Sequence, residues 1–206
     1  MSQRGRFITL EGGEGVGKST QVRRLAKALQ ARGIEVVTTR EPGGTPGAEA
    51  IRDLLMTGAA GRWNAATETL LFAAARADHV ARVIEPALAA GKWVICDRYL
   101  DSTRAYQGAA GGIDDADIVT VNRIGGAMLP DRTLLLDLPV EAGLTRAGAR
   151  GASDRMGSRD DTFYDRVDAG FRAFAAAEPE RFRTIDAAGS PDEVSTRLIA
   201  ALSDLL

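Results

Sequence analysis

The sequence predicts an α/β protein: a parallel sheet of about five strands with helices on both faces. Three observations point there. Short apolar runs alternate along the chain with segments of helical period. A glycine-rich turn joins the first run to the first helical segment. Trp93-Val94-Ile95-Cys96 is a continuous apolar run, as expected of a strand buried on both faces.

The first strand is Phe7-Ile8-Thr9-Leu10, and Gly12 to Ser19 then fits the pattern G-x-x-x-x-G-K-[ST]. Val22, Leu25, Ala26 and Leu29 recur at i, i+3, i+4 and i+7, which gives a helix with one buried face, closed by Arg32-Gly33. Strand, loop and helix together predict a phosphate-binding loop and the P-loop NTPase fold. Glycines let successive N–H groups converge on an anion at the helix N-terminus. Gly12, Gly13, Glu14, Gly15, Val16, Gly17, Lys18, Ser19 and Thr20 are therefore the candidate ATP site. Lys18 should reach the β and γ phosphates, and Ser19 should hold Mg²⁺.

Ile34 to Thr39 is β-branched and reads as the second strand, followed by a shaped loop, Arg40 to Gly47, with two prolines and three glycines. Ala48 to Met56 is a short helix. Thr67 to Ala90 is a longer one, with a kink or restart at Pro86, which has no N–H to continue the ladder. The apolar run from Trp93 ends in Asp97-Arg98-Tyr99, and an acid after a buried strand is a candidate for the metal side of a phosphate-loop site. Asp114 to Ile124 is helical, Thr133 to Leu138 is the fourth strand, and Pro139 to Ala149 starts as a helix. Arg146, Arg150, Arg155 and Arg159 then crowd a glycine-broken stretch expected to be mobile. Asp161 to Ala177 is a helix, Phe182 to Ile185 the last strand, and Ser190-Pro191 opens a terminal helix as N-cap and first residue.

At 206 residues the chain suits one domain. A net charge of −2 argues against a general nucleic-acid surface. No apolar stretch reaches the length of a membrane span, and no signal peptide is evident at Met1 to Leu10. The single cysteine, Cys96, cannot form an internal disulfide and reads as a buried thiol in a reducing compartment, so the cytoplasm is the expected location.

Glu11–Gln21, Thr39–Arg52, Leu71–Arg76, Asp97–Gln107 and Pro130–Leu138 together resemble the thymidylate kinases, which phosphorylate dTMP to dTDP with ATP. The Arg40-Glu41-Pro42-Gly43-Gly44-Thr45 loop and Asp97-Arg98-Tyr99-x-x-Ser102-x-x-Ala105-Tyr106-Gln107 are its most specific parts. The resemblance implies one nucleoside monophosphate kinase domain over residues 1–206, with a lid at roughly 146–160. It implies ATP and Mg²⁺ as cofactors, with Ser19 and Asp97 on the metal, and a homodimer packed through helices, for which the Thr67–Ala90 region could serve. For dTMP it implies Phe72 stacked on the base, Arg76 donating to O4, and Thr103 and Gln107 completing the edge. Tyr106 would close the space of a 2′-hydroxyl, Glu14 would reach the 3′-hydroxyl, and Arg98 would hold the acceptor phosphate. Glu41, Pro42 and Ser102 belong to the same substrate-binding set. The phosphate loop carries no arginine, so a lid arginine would complete catalysis beside Lys18, Arg98 and Asp97: Arg150 or Arg155, with Arg146 next, on the ATP side. Gly157 stands where bacterial members often have glutamate, which leaves open which arginine acts.

Position alone gives plainer readings. Phe72 could be core and Arg76 a solvated face, although i, i+4 spacing puts them on one side of a helix. Asp137 also follows an apolar run and competes with Asp97. His79, the only histidine, reads as structural. A kinase for another nucleotide or for a deoxynucleoside is the nearest alternative. A nucleotide switch or a binding ATPase is the alternative from a different class. No Asn-Lys-x-Asp guanine motif supports a GTP-type switch, and a bare ATPase would leave the acceptor-side residues from Arg40 to Gln107 without a purpose.

Overall fold

The computed structural model describes residues 4–59, 61–149 and 159–206. Five strands, β1 (Phe7–Glu11), β2 (Val36–Arg40), β3 (Trp93–Asp97), β4 (Arg132–Asp137) and β5 (Phe182–Asp186), form one parallel sheet in the order β2-β3-β1-β4-β5. Along β1 and β3, alternate residues enter opposite cores, as a strand's two-residue period requires. Ile8, Leu10, Trp93 and Ile95 pack on one face with Leu25, Leu29, Leu198 and Leu202. Phe7, Val94 and Cys96 pack on the other with Val80, Ile84, Leu88 and Ile118. Each such buried aliphatic side chain is worth about 1.5–3 kcal/mol, and helices on both faces supply the partners.

The helices are α1 (Lys18–Gln30), α2 (Pro46–Met56), α3 (Ala65–His79), α4 (Glu85–Ala89), α5 (Leu100–Thr103), α6 (Asp115–Ile124), α7 (Val140–Gly148), α8 (Asp161–Ala177) and α9 (Pro191–Ala200). α8 spans the residues its sequence predicts. α2 starts two residues earlier than expected, because the Thr45 side chain caps the Ala48 N–H at 3.0 Å and Pro46 fits the first turn.

The long helix expected over Thr67–Ala90 is interrupted before its proline. A wide π turn, Val80–Ile84, separates α3 from α4, and the Glu85 N–H reaches back five residues to the Val80 carbonyl. In a regular α-helix the Pro86 ring would strike the Arg82 carbonyl, and widening the preceding turn relieves that clash. A second π segment, Arg104–Ala109, follows α5. Residues 100–109 gave no helical signal in the sequence: Asp101, Thr103, Arg104 and Gln107 are buried alongside Leu100, Ala105 and Tyr106, so no continuous apolar stripe of helical period is left to read.

The sheet sets the site. Leu10 and Arg40 are both register partners of Asp97, so the C-terminal ends of β1, β2 and β3 lie side by side. The three loops that leave them share one edge, where open α/β sheets place their ligands. Arg150 and Arg155 lie outside the described residues, as does the middle of the segment expected to be a lid.

Candidate active site

After β1 the chain turns through Gly12, Gly15 and Gly17, all at positive φ, and Gly17 forms the N-cap of α1. Gly15 also lets the loop lie against α7, where a Cβ would come within 1.9 Å of the Gly143 carbonyl oxygen. Lys18 folds back over the loop and donates to the carbonyls of Gly12 at 3.0 Å and Gly13 at 2.6 Å. Burial, then the nearby Arg98 charge, lowers its pKa from 10.5 to about 8. Ser19 Oγ donates to Asp97 Oδ2 at 2.5 Å. These are two hard oxygen donors meeting at the mouth of the loop, and they fit a small divalent cation that keeps most of its water. Asp137, the competing acid, is instead held by Arg172 at 2.6 Å.

Arg98 follows β3 with φ at +66°, a left-handed conformation uncommon outside glycine. Its neighbours hold the turn. The Arg98 N–H donates to Leu10 O at 3.0 Å, the Tyr99 N–H to Glu11 Oε1 at 2.7 Å, and Ser102 Oγ to Glu11 Oε2 at 2.5 Å. Glu11 is fully buried, and burial together with the Asp101 carboxylate raises its pKa from 4.5 to about 7. The turn aims the Arg98 guanidinium along the cleft, where it donates to Gly12 O at 3.1 Å, Ser102 Oγ at 3.2 Å and Glu14 Oε1 at 2.7 Å. Tyr106 OH donates to the same Glu14 oxygen at 2.8 Å, and the Arg98 guanidinium lies 5.0 Å from its ring centre.

The far wall is built on Arg76. It is only 2% exposed, so the solvated-face reading fails. Its Nε donates to Glu41 Oε2 at 2.7 Å, Nη1 to Asn122 Oδ1 at 2.5 Å and Nη2 to Thr103 Oγ1 at 3.1 Å. Buried His79 bridges Glu41 at 3.0 Å and Thr39 at 2.7 Å, which gives it the structural role expected of it. Gln107 Nε2 donates to Glu68 Oε2 at 3.0 Å. Arg52 Nη1 fixes the proline loop through Pro42 O at 2.9 Å.

These groups enclose a cleft of about 260 Å³. Of the residues singled out in the sequence, Glu14, Gly15, Gly17, Lys18, Ser19, Asp97 and Arg98 line the end beside the glycine loop. Glu41, Pro42, Phe72, Arg76, Ser102, Thr103, Tyr106 and Gln107 line the rest. Phe72 is half-buried: it packs against a cluster formed by Tyr106, Phe163 and Phe171 and also lines the cleft. Gly12, Gly13 and Val16 face a small crevice behind the loop, with Val16 in the core. Thr20 lies on α1 and Arg146 is exposed on α7, and neither borders the cleft. Arg40, Arg52, Met56 and Tyr99, to which sequence reasoning gave no individual role, also line the cleft, and Glu11, Glu68 and Asn122, likewise given none, support it. Glu11 had a legible signal as an acid closing an apolar strand; Glu68 and Asn122 had none.

The thymidylate kinase family model matches residues 10–198. A thymidylate kinase from Rhizorhabdus wittichii is 65% identical over 98% of this chain and 99% of its own length. One from Caulobacter vibrioides is 53% identical over 98% and 96%. The crystal structure of thymidylate kinase from Ehrlichia chaffeensis superposes with a TM-score of 0.80 at 34% identity, covering 97% of this chain and all of that one. On sequence and structure alike, the chain belongs to the thymidylate kinase family.

Proposed function

We propose that the cleft holds the acceptor nucleotide between Arg76 and Arg98 and the donor phosphates over Lys18, as one kinase domain spanning residues 1–206. The chain transfers the γ-phosphate of ATP to dTMP, giving dTDP. The observation that carries the site assignment is the line of groups along one cleft. Lys18, Ser19 and Asp97 lie at one end, Arg98 with Glu14 and Tyr106 at the middle, and Arg76 with Thr103 and Gln107 at the other.

Phosphoryl transfer asks for alignment and charge more than covalent chemistry. Loop N–H groups and Lys18 take the donor phosphates, and Lys18 exchanges the Gly12 and Gly13 carbonyls for phosphate oxygens. Ser19 and Asp97 would hold Mg²⁺, which when bound neutralises phosphate charge. Arg98 takes the acceptor phosphate and keeps its oxygen in line with the γ-phosphorus. Tyr106, anchored on Glu14, closes the space of a 2′-hydroxyl, and Glu14 reaches the 3′-hydroxyl. Phe72 stacks on the base while Arg76, Thr103 and Gln107 read its edge. Arg150, Arg155 or Arg146 closes over the phosphates from a lid at 146–160 and excludes water. Leu54, Leu70, Val119 and Ile124, exposed on α2, α3 and α6, support assembly as a homodimer through helices. Among the described residues no helix is long and apolar enough to cross a membrane, in keeping with a cytoplasmic enzyme.

The test is ADP formation from ATP and Mg²⁺ with dTMP, dUMP, dCMP, dGMP, UMP or thymidine as sole acceptor. A strong response to dTMP, a weaker one to dUMP and none to UMP is expected. Equal ADP release with and without every acceptor would overturn the substrate assignment.

A further inference from the structure

Reading a pyrimidine base requires that each polar group of the pocket show the right polarity. A thymine edge presents an acceptor at O4 and a donor at N3–H. Cytosine presents the reverse, a donor amine at C4 and an acceptor at N3. Arg76 has only donors, so its polarity is fixed by its chemistry. Gln107 is different, because its amide carries a donor at one end and an acceptor at the other, and a half-turn exchanges them. Something must decide which end faces the cleft.

The structure places that decision on Glu68. This residue lies on the first turn of α3 and is 1% exposed. Its Oε2 accepts from Gln107 Nε2 at 3.0 Å, and its Oε1 accepts from Arg159 Nη2 at 3.1 Å. With both oxygens accepting, Glu68 can take only the NH₂ end of the amide, which leaves Gln107 Oε1 for the cleft that Gln107 lines. The amide also has little freedom to slide, since Gln107 is 1% exposed and sits in the π segment whose backbone it ties to Ile113 at 3.1 Å. The pocket then shows a donor at Arg76 and an acceptor at Gln107, the complement of thymine and the opposite of cytosine. A mispaired polar group in a buried pocket loses its hydration without replacement, which is how a single amide can discriminate strongly.

We propose that Glu68 is a specificity-determining positioning residue. It touches no substrate, and it enforces thymine over cytosine by fixing the orientation of the Gln107 amide. The inference rests on the dTMP reading above. Arg159, at the C-terminal end of the proposed lid segment, anchors the second carboxylate oxygen.

The test measures kcat/KM for dTMP and for dCMP in the wild type, Glu68→Gln, Gln107→Leu and the double variant. A glutamine at position 68 can donate or accept, so the Gln107 amide is free to turn. The dTMP-to-dCMP ratio is expected to fall about tenfold or more in Glu68→Gln, chiefly through a higher KM for dTMP and a gain with dCMP. In the Gln107→Leu background the same change at position 68 should leave the ratio where it is, because there is no amide left to orient. Glu68→Asp, still an acceptor only, should keep most of the discrimination. Where Glu68→Gln does not fold, Glu68→Met removes the acceptor without adding a polar group, and the same fall is expected. An unchanged ratio in a folded Glu68→Gln or Glu68→Met, or an equal fall with and without Gln107, overturns the inference. A wild type with no dTMP-dependent turnover would instead refute the substrate reading itself.

Discussion

Two buried arginine clusters lie within this fold, alike in residue type and unlike in purpose. In the first, Arg76 is gripped by Glu41, Asn122 and Thr103, and the guanidinium still borders the cleft. In the second, Asp101 accepts from Arg104 at 3.0 Å and from Arg181 at 2.6 and 3.0 Å. Arg104 is completed by Asp115 and Glu178, and Arg181 by Thr133 and Glu178. None of these second-cluster residues borders the cleft; they tie the segment after α5 to β4 and to the turn before β5. Burial and charge are therefore poor guides to function by themselves. What separates the clusters is an open side on the ligand space.

The largest effects should come from the phosphate end of the open region. Lys18→Ala or Arg98→Ala is expected to lower dTMP-dependent turnover by about 10³ or more, since each removes charge aimed at the transferred group. Near-normal steady-state rates in either would refute the assigned roles. Arg76→Met and Arg181→Met should both destabilise the fold by about 1.5–3 kcal/mol in denaturant titrations, because each takes charge-assisted hydrogen bonds from a buried carboxylate. Glu41 keeps only His79 of its two side-chain partners, and Asp101 keeps Arg104 and Thr133. A loss confined to one of them would break the symmetry claimed for the two clusters.

Glu11 lies between the clusters, holding Tyr99, whose ring the Arg76 guanidinium overlies, and Ser102 of the cleft wall, and feeling Asp101 of the closed cluster. Its folded pKa is raised from 4.5 to about 7, so between those values the folded state keeps a proton that the unfolded chain has released. Its contribution to stability is full below about pH 4.5 and is lost as pH rises to 7. Comparing urea midpoints at pH 5 and 7.5 should show a smaller fall for Glu11→Gln than for the wild type. Equal falls would mean that Glu11 does not titrate in this window.

The smallest effect is a proton count. Lys18 titrates near pH 8 without nucleotide, and triphosphate charge favours its ammonium form. ATP binding at pH 8 should therefore take up about half a proton at this residue. Calorimetry in buffers of different ionisation heat measures this uptake, and its persistence in Lys18→Ala would assign it elsewhere.

The sequence made the sheet legible because its strands are mostly apolar or β-branched, and made the phosphate loop legible because a glycine pattern is local. β2 came out offset, at Val36–Arg40 rather than Ile34–Thr39, although Glu35 still accepts from the Trp93 N–H at 2.8 Å. The segment from Leu100 to Ala109 was opaque, since hydrophobic periodicity cannot report a helix whose buried side mixes polar residues with apolar ones. Arg76 shows the same limit. Its partners lie 35, 46 and 27 residues away, so nothing near it in sequence marks it as buried. Only the resemblance to a family singled it out.

The most direct measurement is the affinity of dTMP for Arg76→Met and Arg181→Met, by calorimetry on samples shown to be folded. The account requires binding at least about tenfold weaker in Arg76→Met and unchanged in Arg181→Met. Equal losses in the two would show that both arginines act only through the fold, and would contradict the assignment of the Arg76 wall to the base.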